Sequence, residues 1–145
     1  MAFELKDQLF KVAKVVHPLL LRLGGGRIAG SLAGMPVVVL TTTGRRTGQP
    51  RATPLTAIEH DGHTYVVASK GGDARHPAWY LNLSADPAVS VRRNGRSEPM
   101  VARVLNAEER AAVWPVVTRT YRGYAGYQER TEREIPVVEL HPAPR

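Results

Sequence analysis

The sequence of 145 residues contains no cysteine. Disulfide bonds and thiolate metal sites are therefore excluded, which agrees with a protein that works in a reducing cytoplasm. Long apolar runs are also missing, because Lys11, Lys14 and His17 interrupt the first apolar stretch. The sequence thus predicts neither a secretory signal nor a membrane-spanning helix, and we expect a cytoplasmic protein.

Acidic residues are scarce in the first two fifths of the chain. Residues 1–58 contain eight lysines and arginines but only Glu4 and Asp7, a net charge of +6. Residues 59–145 contain twelve basic and eleven acidic residues, a net charge of +1. This asymmetry favours an anionic partner for the first part of the chain: a phosphate-bearing ligand, a membrane surface or nucleic acid.

Motifs for metal binding and for hydrolysis are absent from the sequence as well. The five histidines are scattered, and the pair His60 and His63 around the Asp61-Gly62 turn has no third ligand in register. We therefore predict no metal site. No GxSxG nucleophile motif occurs, so a hydrolase is not supported. No RRM, OB or helix-turn-helix signature occurs either, which argues against a nucleic-acid partner.

The first 30 residues have a pattern of their own. Residues 3–23 carry leucine and valine at steps of three and four, which predicts an amphipathic helix ended by the glycines at 24–26. We divide the chain into this helix with its glycine-rich linker, residues 1–30, and a single domain, residues 31–145. The helix either caps that domain or docks through residues 1–25 on an anionic membrane as a peripheral contact.

The rest of the chain is dominated by β-hairpin signals. Val37–Thr42 is a β-branched run, and Asp61-Gly62 and Asn94-Gly95 each separate two strand-like segments. A short helix at 77–83 and a helix at 107–120 behind an Asn106-to-Glu109 capping box interrupt the strands, the last of which is expected at 135–140. Hairpins without βαβ alternation predict an α+β fold, in which about six mainly antiparallel strands close into a small barrel with flanking helices.

The stretch TTTGRRTGQPR, residues 41–51, directly follows the first strand. It is not a Walker loop, because Gly44 and Gly48 enclose three residues and a strand rather than a helix follows. Glycine N–H groups, threonine hydroxyls and arginines nevertheless form the donor set of an anion site. A basic, solvated turn is the alternative interpretation. Lys70 lies in a second basic, glycine-containing loop after another predicted strand, and the two loops can converge on one ligand.

Three tyrosines, Tyr121, Tyr124 and Tyr127, recur at steps of three. On a helix they would cover about 120° of one face. Gly123 and Gly126 lie between them and would weaken a helix. We interpret the segment as a mobile aromatic pocket wall that offers phenolic proton donors, with a rim of core aromatics as the alternative.

These motifs together resemble a known family. TTTGRRTGQPRATPL, VVASKGG, HPAWYLNL, AEERAAVWP, the three tyrosines and REIPVVEL occur in this order in the deazaflavin-dependent nitroreductase family, actinobacterial reductases that use coenzyme F420. The resemblance covers about residues 30–142 and implies a split β-barrel. It also implies hydride transfer from reduced deazaflavin to a quinone-like or nitro-aromatic acceptor. Related small split barrels often form homodimers, which we expect here too.

The resemblance assigns roles to particular residues. The anionic phosphodiester and polyglutamate tail of F420 would be held by the stretch from Arg45 to Arg51 and by Lys70. The deazaflavin ring or the tail would be bordered by residues of the neighbouring strands and the short helix. Ser69 and the three tyrosines would surround the acceptor as catalytic groups. The implied cofactor-binding residues are Arg45, Arg46, Thr47, Gly48, Gln49, Pro50, Arg51, Pro54, Leu55, Ala68, Ser69, Lys70, Trp79 and Asn82.

One position departs from the family pattern. Thr56 stands where some nitroimidazole-reducing members carry a tyrosine, which argues against nitroimidazole reduction. Two alternatives stay open: an oxidoreductase that uses flavin mononucleotide on the same barrel, and a non-catalytic F420 carrier.

Overall fold

The computed structural model describes residues 31–32 and 35–144. The predicted N-terminal helix and its linker lie outside the described residues. The described part contains eight strands, one short 3-10 helix (Lys70–Gly72) and three α-helices. The strands are β1 Ser31–Leu32, β2 Met35–Thr43, β3 Pro50–Thr56, β4 Ile58–His60, β5 His63–Val67, β6 Ala88–Arg93, β7 Arg96–Val104 and β8 Val137–Pro142; the α-helices are α1 Ala78–Ala85, α2 Ala107–Thr120 and α3 Gly123–Glu129.

All the described strands pair antiparallel, in the order β3-β2-β6-β7-β8-β5-β4, with β1 added to the start of β2. Only Ala57 separates β3 from β4. The chain from Pro50 to His60 therefore pairs first with β2 and then with β5, and it joins the two ends of the sheet. This closure confirms the predicted α+β split barrel, although the structure has eight strands where about six were expected.

The barrel is split on one side, between β3 and the end of β5. Within the described residues, the β3 ladder lies wholly on β2, from Pro50 opposite Thr43 to Thr56 opposite Val37. Val66 and Val67 of β5 pair with β8, whereas β4 reaches only as far as Tyr65. In the described residues, β3 and the end of β5 therefore form no hydrogen-bonded ladder with each other, which leaves an opening in the wall of the barrel.

Strands β2 and β5 run in the same direction. Four successive antiparallel pairings, through β6, β7 and β8, separate them, so their C-terminal residues Thr43 and Val67 lie at the same end of the sheet. The arginine loop, residues 44–49, leaves this end after β2. The lysine loop, residues 68–73, leaves it after β5. Both loops therefore leave the same end of the sheet, and their convergence on one ligand stays a prediction.

Both predicted hairpins are present. Asp61 and Gly62 have φ angles of 51° and 77°, and Asn94 and Gly95 have 52° and 77°. Two consecutive left-handed residues are typical of the two-residue turns whose twist matches that of paired strands. His60 lies opposite His63, as expected from the turn between them.

The core has two layers because side chains alternate along each strand. One layer fills the barrel, with Leu40, Val66 and Val138 at 0% exposure beside the partly covered Leu55. The other layer lies between the sheet and helices α2 and α3 and contains Ile58, Val67, Leu105, Val117, Tyr124, Ile135 and Val137. Helix α1 contributes Trp79 and Leu83 to the barrel layer.

Several boundaries differ from the sequence expectations. Helix α2 has the predicted bounds, and its capping box is formed by both Asn106–Glu109 hydrogen bonds, of 2.8 and 3.0 Å. The last strand begins two residues later than expected and ends at Pro142, because Ile135 and Pro136 lead into it. The tyrosine segment is helical over Gly123–Glu129 despite its glycines. None of the described helices is long and apolar enough to cross a membrane.

Candidate cofactor-binding groove

The arginine loop is closed by backbone hydrogen bonds. The N–H of Gly44 donates to the carbonyl of Gln49, and the N–H of Gly48 donates to the carbonyl of Gly44, both at 2.8 Å. Gly48 has a φ angle of 72°, in the left-handed region that glycine adopts readily. Residues 45–50 are exposed. The loop therefore presents a fixed backbone at the surface of the protein.

Thr47 organises the inside of this loop. Its Oγ1 accepts hydrogen bonds from the N–H of Gln49, at 3.2 Å, and from Nη2 of Arg51, at 3.1 Å. A Cβ atom on Gly44 would lie 3.0 Å from both Thr47 Oγ1 and Arg51 Nε. Glycine at position 44 is thus what allows the guanidinium of Arg51 to lie back against the loop.

Arg45 is held by Asn82 of helix α1. The Asn82 Oδ1 atom accepts from the backbone N–H of Arg45, at 3.2 Å, and from its Nη1, at 2.9 Å. The Asn82 amide in turn donates to Oγ1 of Thr42, at 3.2 Å. Asn82 is 4% exposed, so in this structure it connects the arginine loop to strand β2 from within. The sequence offered no signal for Thr42, whose polar side chain lies in a β-branched run.

The lysine loop has an unusual backbone. Lys70, Gly71 and Gly72 all have positive φ angles, of 46°, 62° and 84°. A non-glycine residue in the left-handed region costs about 1–2 kcal/mol, so the surrounding structure must hold Lys70 in place. The Lys70 side chain is exposed, whereas Ser69 is 8% exposed. Arg133, which the sequence analysis did not single out, donates to the carbonyls of this loop, including that of Ser69 at 2.9 Å.

The lysine loop also lies directly against helix α3. A Cβ atom on Gly72 would be 2.8 Å from the carbonyl oxygen of Tyr127 and 3.1 Å from Cβ of Arg130. Only glycine therefore permits this approach. The contact places the loop that contains Ser69 and Lys70 next to helix α3, which carries Tyr124 and Tyr127.

The three tyrosines form an edge-to-face cluster. Their ring centroids lie 5.1 Å apart for Tyr121 and Tyr124, 6.1 Å for Tyr124 and Tyr127, and 6.3 Å for Tyr121 and Tyr127. Tyr121 precedes the helix and Tyr127 lies within it; both are half-buried, and their hydroxyls are 3.5 Å apart. Tyr124 is 5% exposed, and its hydroxyl forms a 3.0 Å hydrogen bond with Oγ1 of Thr56. The cluster thus has one enclosed hydroxyl and two more accessible ones.

The hydroxyls of Tyr124 and Tyr127 stay protonated at neutral pH. Burial raises the pKa of Tyr124 above its usual value of 10.0, against a smaller opposing effect of the Thr56 hydrogen bond. The hydrogen bond with Tyr121, together with burial, raises the pKa of Tyr127. Both phenols can therefore donate a hydrogen bond or a proton to an oxygen that gains negative charge.

The remaining predicted residues border the split. Pro54 and Leu55 are half-buried on β3, on one side of the opening, and Ala68 and Ser69 are buried at the end of β5, on the other. Trp79 differs, because it is 6% exposed within the barrel layer of the core. The structure thus places the two loops at the same end of the sheet and the tyrosine helix against the lysine loop, whereas Trp79 and Asn82 are buried.

A cavity of about 200 Å³ is lined by residues such as His76, Tyr80, Arg110 and Pro136. None of its lining residues is a predicted site residue. Cofactor pockets typically occupy about 300–1,000 Å³, so this cavity is too small for a deazaflavin cofactor.

A second polar cluster surrounds Glu139, which is 4% exposed on the outer face of β8. Its carboxylate lies 3.0 Å from Nδ1 of His63, 2.8 Å from Nε2 of His141 and 3.1 Å from Nη2 of Arg103. Arg103 supplies a positive charge directly at the carboxylate, which disfavours a cation there. No group of residues in the described part of the chain has the arrangement of a metal site.

The chain is similar to several known proteins. A family model described as F420H(2)-dependent quinone reductase matches residues 15–142. A Mycobacterium tuberculosis protein named F420H(2)-dependent quinone reductase is 40% identical over 130 residues, which cover 86% of this chain and 87% of that protein. The matching names refer to quinone reduction rather than to nitro reduction.

Two solved structures are similar as well. One is described as an F420-H2 dependent reductase (FDR-A), with 44% identity, a TM-score of 0.66, and coverage of 73% of this chain and 94% of that chain. Another is described as a domain-swapped dimer, with 38% identity, a TM-score of 0.68, and coverage of 89% of this chain and 98% of that chain. A pyridoxamine 5'-phosphate oxidase-like structure from Listeria innocua, 13% identical at a TM-score of 0.51, shares the fold alone.

Proposed function

The chain belongs to the F420H(2)-dependent quinone reductase family, and we propose that it reduces a quinone-like acceptor with coenzyme F420 as the hydride donor. The observation that carries this proposal is the placement of two basic loops at one end of the barrel. The arginine loop and the lysine loop leave strands β2 and β5 in the same direction, on either side of the split.

The residues at this end fit the anionic part of the cofactor. The phosphodiester and polyglutamate tail carry several negative charges, which need fixed cations and N–H donors. Arg45 and Arg46 supply cations on an exposed loop whose backbone is already fixed, and the half-buried Arg51 adds another near the start of β3. Lys70 adds a fourth from the opposite loop. The proposed tail-binding residues are Arg45, Arg46, Thr47, Gly48, Gln49, Pro50, Arg51 and Lys70.

The split fits the flat ring of the cofactor. A ring site requires apolar walls with a few polar contacts. Pro54 and Leu55 provide a half-buried apolar edge on β3, and Ala68 and Ser69 provide the opposite edge at the end of β5. We propose that the buried residues Trp79 and Asn82 support the site without contacting the ring. Trp79 supports the barrel wall, and Asn82 orients Arg45 through two hydrogen bonds.

The chemistry divides between cofactor and protein. The reduced deazaflavin, when bound, supplies the hydride. The protein must orient the acceptor, exclude water and deliver one proton, since a hydride and a proton together convert a quinone into a hydroquinone. We propose that the Tyr121–Tyr127 hydroxyl pair donates to the acceptor oxygen, because these two phenols are the more accessible members of the cluster. Ser69 adds a hydroxyl at the same edge.

Tyr124 has a different proposed role. Its hydroxyl is occupied by Thr56 and its ring is buried, so it supports the pocket wall rather than delivering the proton. Thr56 is bound to this hydroxyl where some nitroimidazole reducers carry a tyrosine. We therefore place nitro-aromatic compounds second to quinones as acceptors. Comparing the rates with menadione and with a nitroimidazole would test that order.

The two alternatives differ from this proposal in measurable ways. Flavin mononucleotide gains no support from the mycobacterial relatives at 34–40% identity, whose names refer to F420. A non-catalytic F420 carrier would bind the cofactor but would not need the Tyr121–Tyr127 pair. Turnover with an acceptor separates the carrier from the enzyme.

Cofactor preference tests the binding half of the proposal. The protein is titrated with coenzyme F420 and separately with flavin mononucleotide, and tryptophan fluorescence is followed at two salt concentrations. We expect tighter binding of F420, weakened by salt because its tail carries the extra charge. Equal or stronger binding of the flavin would contradict the proposal.

We also propose that the protein forms a homodimer, supported by the similar structure described as a domain-swapped dimer. Multi-angle light scattering after size-exclusion chromatography would give twice the chain mass of 15.9 kDa. A single-chain mass would contradict the dimer. Peripheral membrane contact through residues 1–25 is a separate proposal; liposome co-sedimentation that is unchanged by removal of these residues would contradict it.

A further inference from the structure

We propose that Arg133 is a positioning residue that fixes the lysine loop and thereby directs Ser69 and Lys70 into the cofactor groove. The inference deepens the proposed function and rests on it. Arg133 lies in the segment between helix α3 and strand β8, and its side chain reaches back across more than 60 positions of sequence to the loop.

The guanidinium of Arg133 binds three carbonyls of one loop. Its Nη1 donates to the carbonyl of Ala68 at 3.2 Å, its Nη2 to that of Ser69 at 2.9 Å, and its Nε to that of Asp73 at 2.9 Å. These carbonyls begin and end the loop, so one planar group fixes both of its ends. Nη1 also lies 3.2 Å from Nδ1 of His76.

Because Arg133 holds the carbonyls of Ala68 and Ser69, the geometry of the trans peptide bond also determines where the adjacent N–H groups point. In each trans peptide unit the C=O and the N–H point in opposite directions. The carbonyls of Ala68 and Ser69 both point at Arg133, so the N–H groups of Ser69 and Lys70 point away from it. Ser69 is right-handed at φ −78° and ψ −38°, and Lys70 is left-handed at φ 46°. Because the backbone changes from right-handed at Ser69 to left-handed at Lys70, the ammonium group of Lys70 stays on the exposed side.

A backbone of this kind needs an external constraint. Lys70 is the only residue of the described chain besides the two turn residues Asp61 and Asn94 that has a positive φ without being glycine. Asp61 and Asn94 lie in two-residue hairpins, where such angles are usual. Lys70 lies outside a hairpin, and charge-assisted hydrogen bonds from Arg133 offset the cost of its conformation. Burial lowers the pKa of Arg133 from its ordinary value, but the guanidinium still stays charged at neutral pH.

Arg110 offers a matched control. Its guanidinium is also partly buried and also anchors the segment before β8, through hydrogen bonds of 2.8 Å to the carbonyl of Ile135 and 2.9 Å to Oε1 of Gln128. Among the described residues, none of its hydrogen bonds reaches the lysine loop, and its other contacts are Trp114 and Glu134. Substitution of Arg110 therefore loosens the same segment without releasing Ala68, Ser69 or Asp73.

The experiment compares Arg133→Met, Arg133→Lys and Arg110→Met in the full chain by two readouts. The first is the amide resonances of Ser69 and Lys70 in the cofactor-free protein, measured by NMR. The second is the dissociation constant for coenzyme F420, measured by fluorescence, with and without added guanidinium. Should Arg133→Met fail to fold, Arg133→Lys, which keeps the charge but reaches fewer carbonyls, carries the comparison.

We expect Arg133→Met to shift both amide resonances and to raise the F420 dissociation constant by about tenfold, since two or three charge-assisted hydrogen bonds are lost. Added guanidinium restores part of the affinity. Arg110→Met leaves both amides in place and changes the affinity less. Unchanged amides in Arg133→Met, or an equal loss of affinity in Arg110→Met, would overturn the positioning role.

The two readouts separate this inference from the proposed function. A wild-type protein that binds no F420 contradicts the proposed function, whatever Arg133 does. The amide resonances then still decide whether Arg133 orients the Ser69 and Lys70 peptide groups: shifted resonances support that orientation and unshifted ones refute it.

Discussion

The hydroxyl of Thr56 lies 3.0 Å from the hydroxyl of Tyr124, and this hydrogen bond connects strand β3 to helix α3 at the split of the barrel. Tyr124 is 5% exposed and Thr56 is half-buried. A buried phenol without a partner is costly, whereas the pair together is satisfied. The bond therefore stabilises the tyrosine helix against the edge that we propose borders the cofactor.

The first prediction concerns this bond. Thr56→Val removes the hydroxyl at nearly constant volume and leaves the Tyr124 hydroxyl unsatisfied, so we expect a loss of about 1–3 kcal/mol in the free energy of unfolding. Tyr124→Phe removes the other partner. In the double variant neither group is left unpaired, and we expect less loss than the sum of the two single changes. Additive losses in denaturant unfolding would show that the two hydroxyls do not interact.

The second prediction concerns the glycines of the lysine loop. Gly71 and Gly72 both have positive φ angles, but a Cβ atom on Gly71 meets nothing within 4 Å, whereas one on Gly72 would lie 2.8 Å from the carbonyl oxygen of Tyr127. Gly71→Ala should cost about 1–2 kcal/mol from backbone strain alone. Gly72→Ala should cost clearly more, because the loop must also move away from helix α3.

Thermal or denaturant unfolding of these two variants checks the comparison, with F420 affinity as a second measurement. The Gly72 variant should also bind the cofactor less tightly, since the loop and the tyrosine helix separate. Equal stability of the two alanine variants would contradict the close contact between Gly72 and Tyr127.

The third prediction concerns Arg51, which lies on β3 just after the arginine loop and donates to Thr47 within it. Arg51→Ala removes a cation from the proposed tail site, and we expect about tenfold weaker F420 binding at low salt, with a smaller difference at high salt. Arg96→Ala is the control, because Arg96 is exposed on the β6–β7 hairpin, at the opposite end of the barrel. A similar loss in both variants would point to general charge attraction rather than to a site.

The fourth prediction separates the tyrosines by their chemistry. If the Tyr121–Tyr127 pair delivers the proton, Tyr127→Phe should lower kcat by about a hundredfold, within the usual contribution of a general acid. Tyr124→Phe should affect stability more than kcat. Unchanged turnover in Tyr127→Phe would remove this residue from proton transfer, and absent turnover in the wild type would favour the carrier.

The fifth prediction is a pH dependence of stability. Burial raises the pKa of Tyr124 in the folded protein above its unfolded value of about 10. The folded state therefore holds this proton more tightly than the unfolded state does. Its contribution to stability is present in full below the unfolded pKa and is lost as the pH rises through the folded pKa.

The free energy of unfolding, measured below and above pH 10, should be lower above it. We expect this decrease to be smaller for Tyr124→Phe than for the wild type. The pKa values of Tyr65 and Tyr127 are also raised, so the variant retains part of the alkaline loss. An identical alkaline slope in both proteins would contradict the role of Tyr124.

Much of the fold could be predicted from short-range signals. Asp61-Gly62 and Asn94-Gly95 determine their hairpins because these residues adopt left-handed angles readily. Asn106 and Glu109 determine the start of helix α2 through a local capping box. The helical state of the tyrosine segment was not expected, because burial of Tyr124 and contact with the lysine loop outweigh the low helix propensity of Gly123 and Gly126.

The candidate site was only partly predictable. The arginine loop could be identified because its glycines, threonines and arginines are adjacent in sequence. Two other features depend on contacts between distant segments. They are the hydrogen bonds from Arg133 to the lysine loop and those that connect Thr42 through Asn82 to Arg45. No local pattern distinguishes Arg133 from Arg130 in the stretch RTEREIP. The roles of the individual site residues stay predictions until the variants above are measured.

The most direct measurement mixes reduced coenzyme F420 with menadione and follows the return of the oxidised cofactor's absorbance with and without the protein. The account predicts oxidation that is proportional to protein concentration, saturates with menadione and falls strongly in Arg51→Ala and Tyr127→Phe. Oxidation no faster than in the absence of protein would contradict the proposal that this chain is an F420-dependent quinone reductase.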